Sequence, residues 1–267
     1  MLKEHKETES RSFVCLATGD IYNRAEAYIE RMYSMLERTA PQPFTLTCIT
    51  DKPRGINPAI IQIDCSQWKE LRRPGMRSTT LKIGLFNESY LPNTDFIYLD
   101  LTLIIRRNLS SLLEYMDRQS APLVIVKDWH YDTYNSCVMR IKNKQLNFIY
   151  TAFASGASYR QKTPGDQDFI HSVIAEKEKQ HLVSLIPAQM VCSLKQATRA
   201  ARHDAATSCN LIENATIVKF HGNPKMHEFF DRKYQLMKYG FGHLRYGKWG
   251  LPFDVKALNE AWRGGEK

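Results

Sequence analysis

Residues 12–18 read SFVCLAT and run into Gly19-Asp20, while residues 44–50 read FTLTCIT and run into Asp51-Lys52-Pro53-Arg54-Gly55. Both are short apolar runs closed by turn formers, the pattern of buried strands. Between them apolar residues recur at Ile21, Ala25, Tyr28, Ile29, Met32, Met35 and Leu36, which is the spacing of one helix face. A third run follows at 59–63. Strand, helix, strand in so short a space predicts a right-handed βαβ unit with parallel strands. The fold class is α/β.

Outward from this unit the alternation continues. Residues 79–87 (TTLKIGLFN) read as a short helix, 95–99 (DFIYL) as a fully buried strand, 110–116 (SSLLEYM) as a helix that Asn108 can cap, and 122–126 as a strand. Residues 144–154 and 166–180 look helical, and 182–186 and 216–221 extended. The expected architecture is a mostly parallel, Rossmann-like sheet flanked by helices, in one domain over 12–226. A flexible polar arm (1–11) precedes it and a basic, aromatic, glycine-containing tail (227–267) follows.

Of the 267 residues 43% are hydrophobic and 24% charged, which excludes a disordered, fibrous or disulfide-framework chain. The net charge is +9, and residues 195–267, with 13 basic and 7 acidic side chains, carry +6 of it. That end of the chain suits an anionic partner or is merely well solvated. Six scattered cysteines without a CxxC pair fit buried thiols in a reducing compartment. With no apolar h-region in MLKEHKETESR and no apolar stretch of 18 residues, a cytoplasmic protein is expected.

Ligands of open α/β sheets bind beyond the carboxyl ends of the strands. Strand-end sites of that kind are Ala17-Thr18-Gly19, Asp51 and Asp100. A carboxylate so placed can hold ribose hydroxyls or a diphosphate-bound cation, or can simply form a turn. In 216–225 (TIVKFHGNPK), Gly222 permits close backbone approach, and His221 and Lys225 could donate to phosphate oxygens. In Gly165-Asp166-Gln167-Asp168, Asp166 suits an N-cap and Gln167 can offer its amide to a sugar, although a capped helix explains the tetrapeptide equally well. Asn135 and Ser136, ahead of an apolar run, suit hydroxyl recognition or a turn.

In order, FVCLATG, YIERMYSMLERTAPQPFTLTCITD, LKIGLF, FIYLDLTLIIRRNLSSLL, YNSCVM, GDQDFI, SLK and IVKFHGNPK resemble the motif set of bacterial GT-A-type glycosyltransferases related to glycosyltransferase family 8, over residues 12–226. The resemblance implies a hexosyltransferase-type enzyme that moves a sugar from a nucleotide donor, usually UDP-linked, to a hydroxyl with retention. It implies Mn²⁺ or Mg²⁺ as cofactor and points to lipopolysaccharide or other cell-surface polysaccharide synthesis. Carried over, it sets Ala17, Thr18 and Asp51 against the base and ribose, Lys82 near the donor, and Asp100 on the metal and ribose. Asn135 and Ser136 meet the donor sugar, Asp166 and Gln167 lie nearest the reacting carbon, and Gly222 and Lys225 close over the diphosphate.

Two departures bear on the metal. The family's DxD is Asp100-Leu101-Thr102, so a hydroxyl replaces the second carboxylate; and Lys219 stands where the family keeps a metal-binding histidine, His221 being a different position. Three readings follow: a weak metal site on Asp100, metal-independent transfer with Lys219 and Lys225 as an electrostatic clamp, or a degenerate non-catalytic domain that binds nucleotide sugars. The tail, with Phe229, Phe230, Tyr234, Tyr239, Phe241, Tyr246 and Trp249 among its cations, reads either as a peripheral contact with the inner face of the cytoplasmic membrane or a phosphorylated glycan, or as aromatics packed on the domain. A basic nucleic-acid-binding protein is the competing class, against which stands the lack of any RNP, zinc-finger or helix-turn-helix signature.

Overall fold

The computed structural model describes residues 10–20, 23–158, 165–239 and 250–264. Ile21, most of the N-terminal arm, and the tail residues Phe241, Arg245, Tyr246, Lys248 and Trp249 lie outside the described residues.

In chain order the elements are β1 (Arg11–Ala17), α1 (Ala25–Thr39), β2 (Phe44–Thr50), β3 (Ile61–Asp64), two 3-10 segments (Lys69–Leu71 and Ser78–Phe86), β4 (Asp95–Leu99), β5 (Leu103–Ile105), α2 (Ser110–Arg118), β6 (Leu123–Lys127) and β7 (Tyr134–Lys142). The second half holds α3 (Asn143–Ala154), α4 (Asp166–Glu176), β8 (Val183–Ile186), β9 (Val191–Ser193), α5 (Leu194–Ala200), α6 (Ala205–Asn214), β10 (Ile217–Lys219), α7 (Met226–Phe229), α8 (Arg232–Tyr239) and α9 (Val255–Arg263). Seven strands form one sheet in the order β3-β2-β1-β4-β7-β6-β8, and β5-β10-β9 form a smaller one.

The βαβ unit is as its sequence implies: β1 pairs in parallel with β2 from Arg11↔Phe44 to Ala17↔Thr50. Within α1 the buried positions are Ala25, Tyr28, Ile29, Met32, Met35, Leu36 and Thr39, the stripe its periodicity drew. Along β1, Phe13, Cys15 and Ala17 join the core on one face of the sheet and Val14 joins the core on the other, the period-two alternation of a strand covered on both sides. Five of the six free cysteines are buried, and Cys15 and Cys48 are register partners across β1 and β2.

β7 departs from the parallel pattern, running antiparallel to both β4 and β6. The stretch read as two polar residues before an apolar run is a nine-residue strand. Asn135, Ser136 and Arg140 are buried within it, and Arg140 holds Asp95 on β4 through Nη2–Oδ2 at 2.8 Å. The tail's described aromatics pack inward: Phe229 meets Phe220 at 5.3 Å between ring centroids, and Phe230 meets Trp262 of α9 at 5.4 Å. Trp262 in turn lies 5.7 Å from Tyr28 of α1. Among the described residues no helix is long and apolar enough to cross a membrane.

Candidate functional site

The chain moves from β1 outward to β2 and β3, then returns to the other side of β1 with β4. Such a reversal of strand order leaves a crevice beyond the strand ends. Beyond the end of β4 and the start of β7 lies a cleft of about 910 Å³. Of the residues singled out from sequence, Lys82, Asp100, Thr102, Asn135, Asp166, Gln167, Lys219, His221, Gly222 and Lys225 line it.

Asp100 is fixed at its floor, its backbone N–H donating to the Cys137 carbonyl of β7 at 2.9 Å. Its Oδ1 accepts the Tyr98 hydroxyl at 2.8 Å and lies 2.7 Å from Lys82 Nζ. Its Oδ2 accepts from Lys219 Nζ at 2.6 Å. Lys82 comes from the second 3-10 segment, buried from Thr80 to Phe86, and also donates to Ser136 Oγ at 3.1 Å. The Ser136 hydroxyl donates to Asp166, whose Oδ2 is 3.7 Å from Lys82 Nζ. Asp166 is the first helical residue of α4; the N-cap is Gly165, and the Asp166 carboxylate turns into the cleft floor instead.

Burial alone would raise the Asp100 pKa, but the Lys219 and Lys82 ammonium groups and the hydrogen bonds they donate outweigh it, holding the carboxyl well below the usual range. Burial would likewise discharge Lys82, and Asp100 and Asp166 overcome it, so this lysine stays protonated beyond its ordinary range. Burial, with Lys219 and Lys195 nearby, pushes His221 down to about 4. His221 is therefore a neutral donor near neutral pH, stacked 5.7 Å from Trp129.

A divalent cation needs uncommitted oxygen ligands. Both Asp100 oxygens are held by protonated donors, and Thr102 Oγ1, at the place of the second carboxylate, accepts from Lys219 at 2.6 Å. Among the described residues no three His, Cys, Asp or Glu side chains converge. This set does not fit the Mn²⁺ or Mg²⁺ that the resemblance implies.

Ala17, Thr18 and Asp51 lie apart from this lining. The Ala17 side chain is fully buried in the core, Thr18 is half-buried, and Asp51 accepts the Gly19 N–H at 2.8 Å. Arg54, whose side chain has no exposure, lies 3.2 Å from Asp51 and donates to Thr50 Oγ1 at 2.7 Å and to the Gly19 carbonyl at 2.6 Å. Lys195, part of the SLK motif but without an assigned role, lines the cleft too, and other lining residues went unmarked in the sequence: Arg77, Asp128, His130 and Arg199. Asp128 was open to discovery, because it directly follows β6 and obeys the strand-end rule; it accepts from Asn135 Nδ2 at 2.8 Å.

No family model matches this chain, and no curated protein does. Solved structures do. The glycosyltransferase GlyE of Streptococcus pneumoniae TIGR4 superposes with a TM-score of 0.58 at 16% identity, covering 84% of this chain and 57% of its own. The galactosyltransferase LgtC, in complex with donor and acceptor sugar analogs, gives 0.55 at 15% identity, covering 95% of each chain. The fold is the GT-A fold. Mouse xyloside xylosyltransferase 1 also gives 0.55 at 15% identity, covering 80% of this chain and 99% of its own. The present chain thus spans little more than half the length of GlyE and nearly the whole of the other two.

Proposed function

We propose that this GT-A chain is a glycosyltransferase of the hexosyltransferase type, related to family 8, that takes a sugar from a UDP-linked donor and passes it with retention to an acceptor hydroxyl. One observation carries the reading: Asp100, Lys82, Ser136 and Asp166 form a continuous charged and hydrogen-bonded chain on the floor of a cleft at the strand ends of a GT-A sheet. Six lysine or arginine side chains face four aspartates in that cleft, a surplus of positive charge suited to a nucleoside diphosphate. In the same reading residues 12–226 are the transfer domain, and Thr18 and Asp51 border the nucleoside end.

During transfer the bond between the anomeric carbon and the diphosphate oxygen breaks as the acceptor oxygen bonds to that carbon. The acceptor proton passes to the departing diphosphate. Asp166 and Gln167 orient the donor sugar, and Lys219, Lys225 and neutral His221 meet the charge growing on the leaving group. A second hollow of about 720 Å³ shares Lys195, Arg199, Phe220 and His221 with the cleft and adds Arg202 and Lys238, which supports an anionic glycan or glycolipid as acceptor. Exposed Leu236 and Met237 on α8, beside Arg232, Lys233 and Lys238, support a peripheral contact at the inner face of the cytoplasmic membrane during cell-surface glycan assembly.

Purified protein incubated with a panel of nucleotide sugars, with EDTA or with Mn²⁺, tests the reading by nucleotide release. Release from a UDP-sugar is expected. A panel that neither binds nor turns over sinks it.

A further inference from the structure

We propose that the Lys219 side chain is the built-in cation of this cleft, so that a nucleoside diphosphate binds, and leaves, against an ammonium group rather than a divalent metal. The inference deepens the glycosyl-transfer reading and rests on it.

Lys219 ends β10, where it is the register partner of Leu103 in β5. That pairing carries its side chain back over the segment joining β4 to β5. Nζ sits 2.6 Å from Asp100 Oδ2 and 2.6 Å from Thr102 Oγ1. One ammonium thus bridges the two side chains of the Asp100-Leu101-Thr102 segment that a cation would have to bridge. It is bound in place by the fold: Lys219 is 6% exposed, and the Phe220 N–H that follows donates to the Thr102 carbonyl at 2.9 Å.

The chemistry of the donor set agrees. A metal ion on Asp100 would have to displace Lys219 from Oδ2 and also face Lys82, 2.7 Å from Oδ1. Thr102 supplies a neutral hydroxyl where a second anionic ligand would be needed to offset that repulsion. An ammonium carries three N–H donors. Two are spent on Asp100 and Thr102, and the third is left for a phosphate oxygen in the cleft that Lys219 lines. Around it the loop is shaped for close approach: Gly222 has φ +72°, and Lys195 Nζ lies 3.6 Å from where a Cβ there would stand.

Calorimetric titration of the full chain with UDP, in excess EDTA and in Mn²⁺, tests this, with circular dichroism confirming that each variant is folded. Wild-type affinity should agree within about 2-fold between the two conditions, and Lys219→Met should weaken binding about 30-fold in both, the loss of one charged hydrogen-bonding partner. Lys219→Arg, which keeps the charge, should recover most of that loss. The double variant Thr102→Asp with Lys219→His should acquire a Mn²⁺ requirement for UDP binding, and should bind Mn²⁺ itself by electron paramagnetic resonance where the wild type does not. Wild-type binding that EDTA abolishes and Mn²⁺ restores overturns the assignment, as does a folded Lys219→Met that binds UDP like the wild type. If neither UDP nor any other nucleoside diphosphate binds under either condition, the glycosyl-transfer reading falls and takes this inference with it.

Discussion

Asp51 follows β2 and Asp100 follows β4, both at the carboxyl edge of one sheet and both met by buried cations, yet the two regions differ in what the cation does. Around Asp51 a fully buried guanidinium ties the carboxylate to Thr50, to the Gly19 carbonyl and to Glu26 of α1, leaving the turn after β1 locked by five closed contacts. Around Asp100 the cations are lysines from two separate elements, both lining an open cleft, and Lys219 keeps one donor beyond the two contacts it makes. Arginine's rigid fork suits a site meant to be closed, and a lysine's compact head suits one that must still receive an anion. A carboxylate at a strand end is therefore read by its partners, not by its position.

The largest effect that separates the regions is expected from Asp100→Asn. It removes the carboxylate that two buried ammonium groups share and leaves Lys219 without an anionic partner, and urea unfolding should show a loss of about 4 kcal/mol; a loss below that of Arg54→Met would reverse the ranking. Arg54→Met itself should cost about 3 kcal/mol by removing the buried donor that Thr50, Asp51 and the Ala17 and Gly19 carbonyls share, while weakening UDP binding less than Lys219→Met does. If UDP binding falls as far as in Lys219→Met, the turn carries as much of the ligand site as the cleft floor does.

The pH response sharpens the contrast. Asp100 is held below its ordinary value in the folded chain, so its contribution is fully present above about pH 4, its unfolded range, and is lost as pH falls toward the folded value. The stability difference between wild type and Asp100→Asn, followed by urea titration at successive pH values, should hold from pH 7 to about 4 and shrink below. Lys82 acts in the opposite direction: raised in the fold, it contributes below about pH 10 and loses that contribution as pH climbs through its folded value. The smallest effect is at His221, whose ring resonances should titrate near pH 4 by NMR and stay constant from 6 to 8. A midpoint near 6.5 would mean that the ring is not buried beside Lys195 and Lys219 as described.

The βαβ unit was legible because each strand and helix there is a local pattern: apolar runs ended by turn formers, and a stripe of period 3.6. β7 was not, since Asn135, Ser136 and Arg140 interrupt its apolar pattern, and their burial is tolerable only because Asp128, Asp166 and Asp95 arrive from elsewhere. The ordered motifs marked most of the cleft lining. They could not reveal Arg54, which in the sequence is one more turn residue between proline and glycine, or Arg199, which resembles any solvated cation on a short helix.

What the sequence determined by itself is the α/β alternation, the strand ends and the presence of a lysine and a threonine at the two positions where the motif resemblance implies metal ligands, because these depend on residue type and near neighbours. Only the tertiary structure decided that Asp51 and Asp100 part ways, and that one ammonium bridges Asp100 and Thr102 across 117 to 119 positions of chain. Such a charge is defined by what the fold places within a few ångströms of it, and no local pattern encodes that distance.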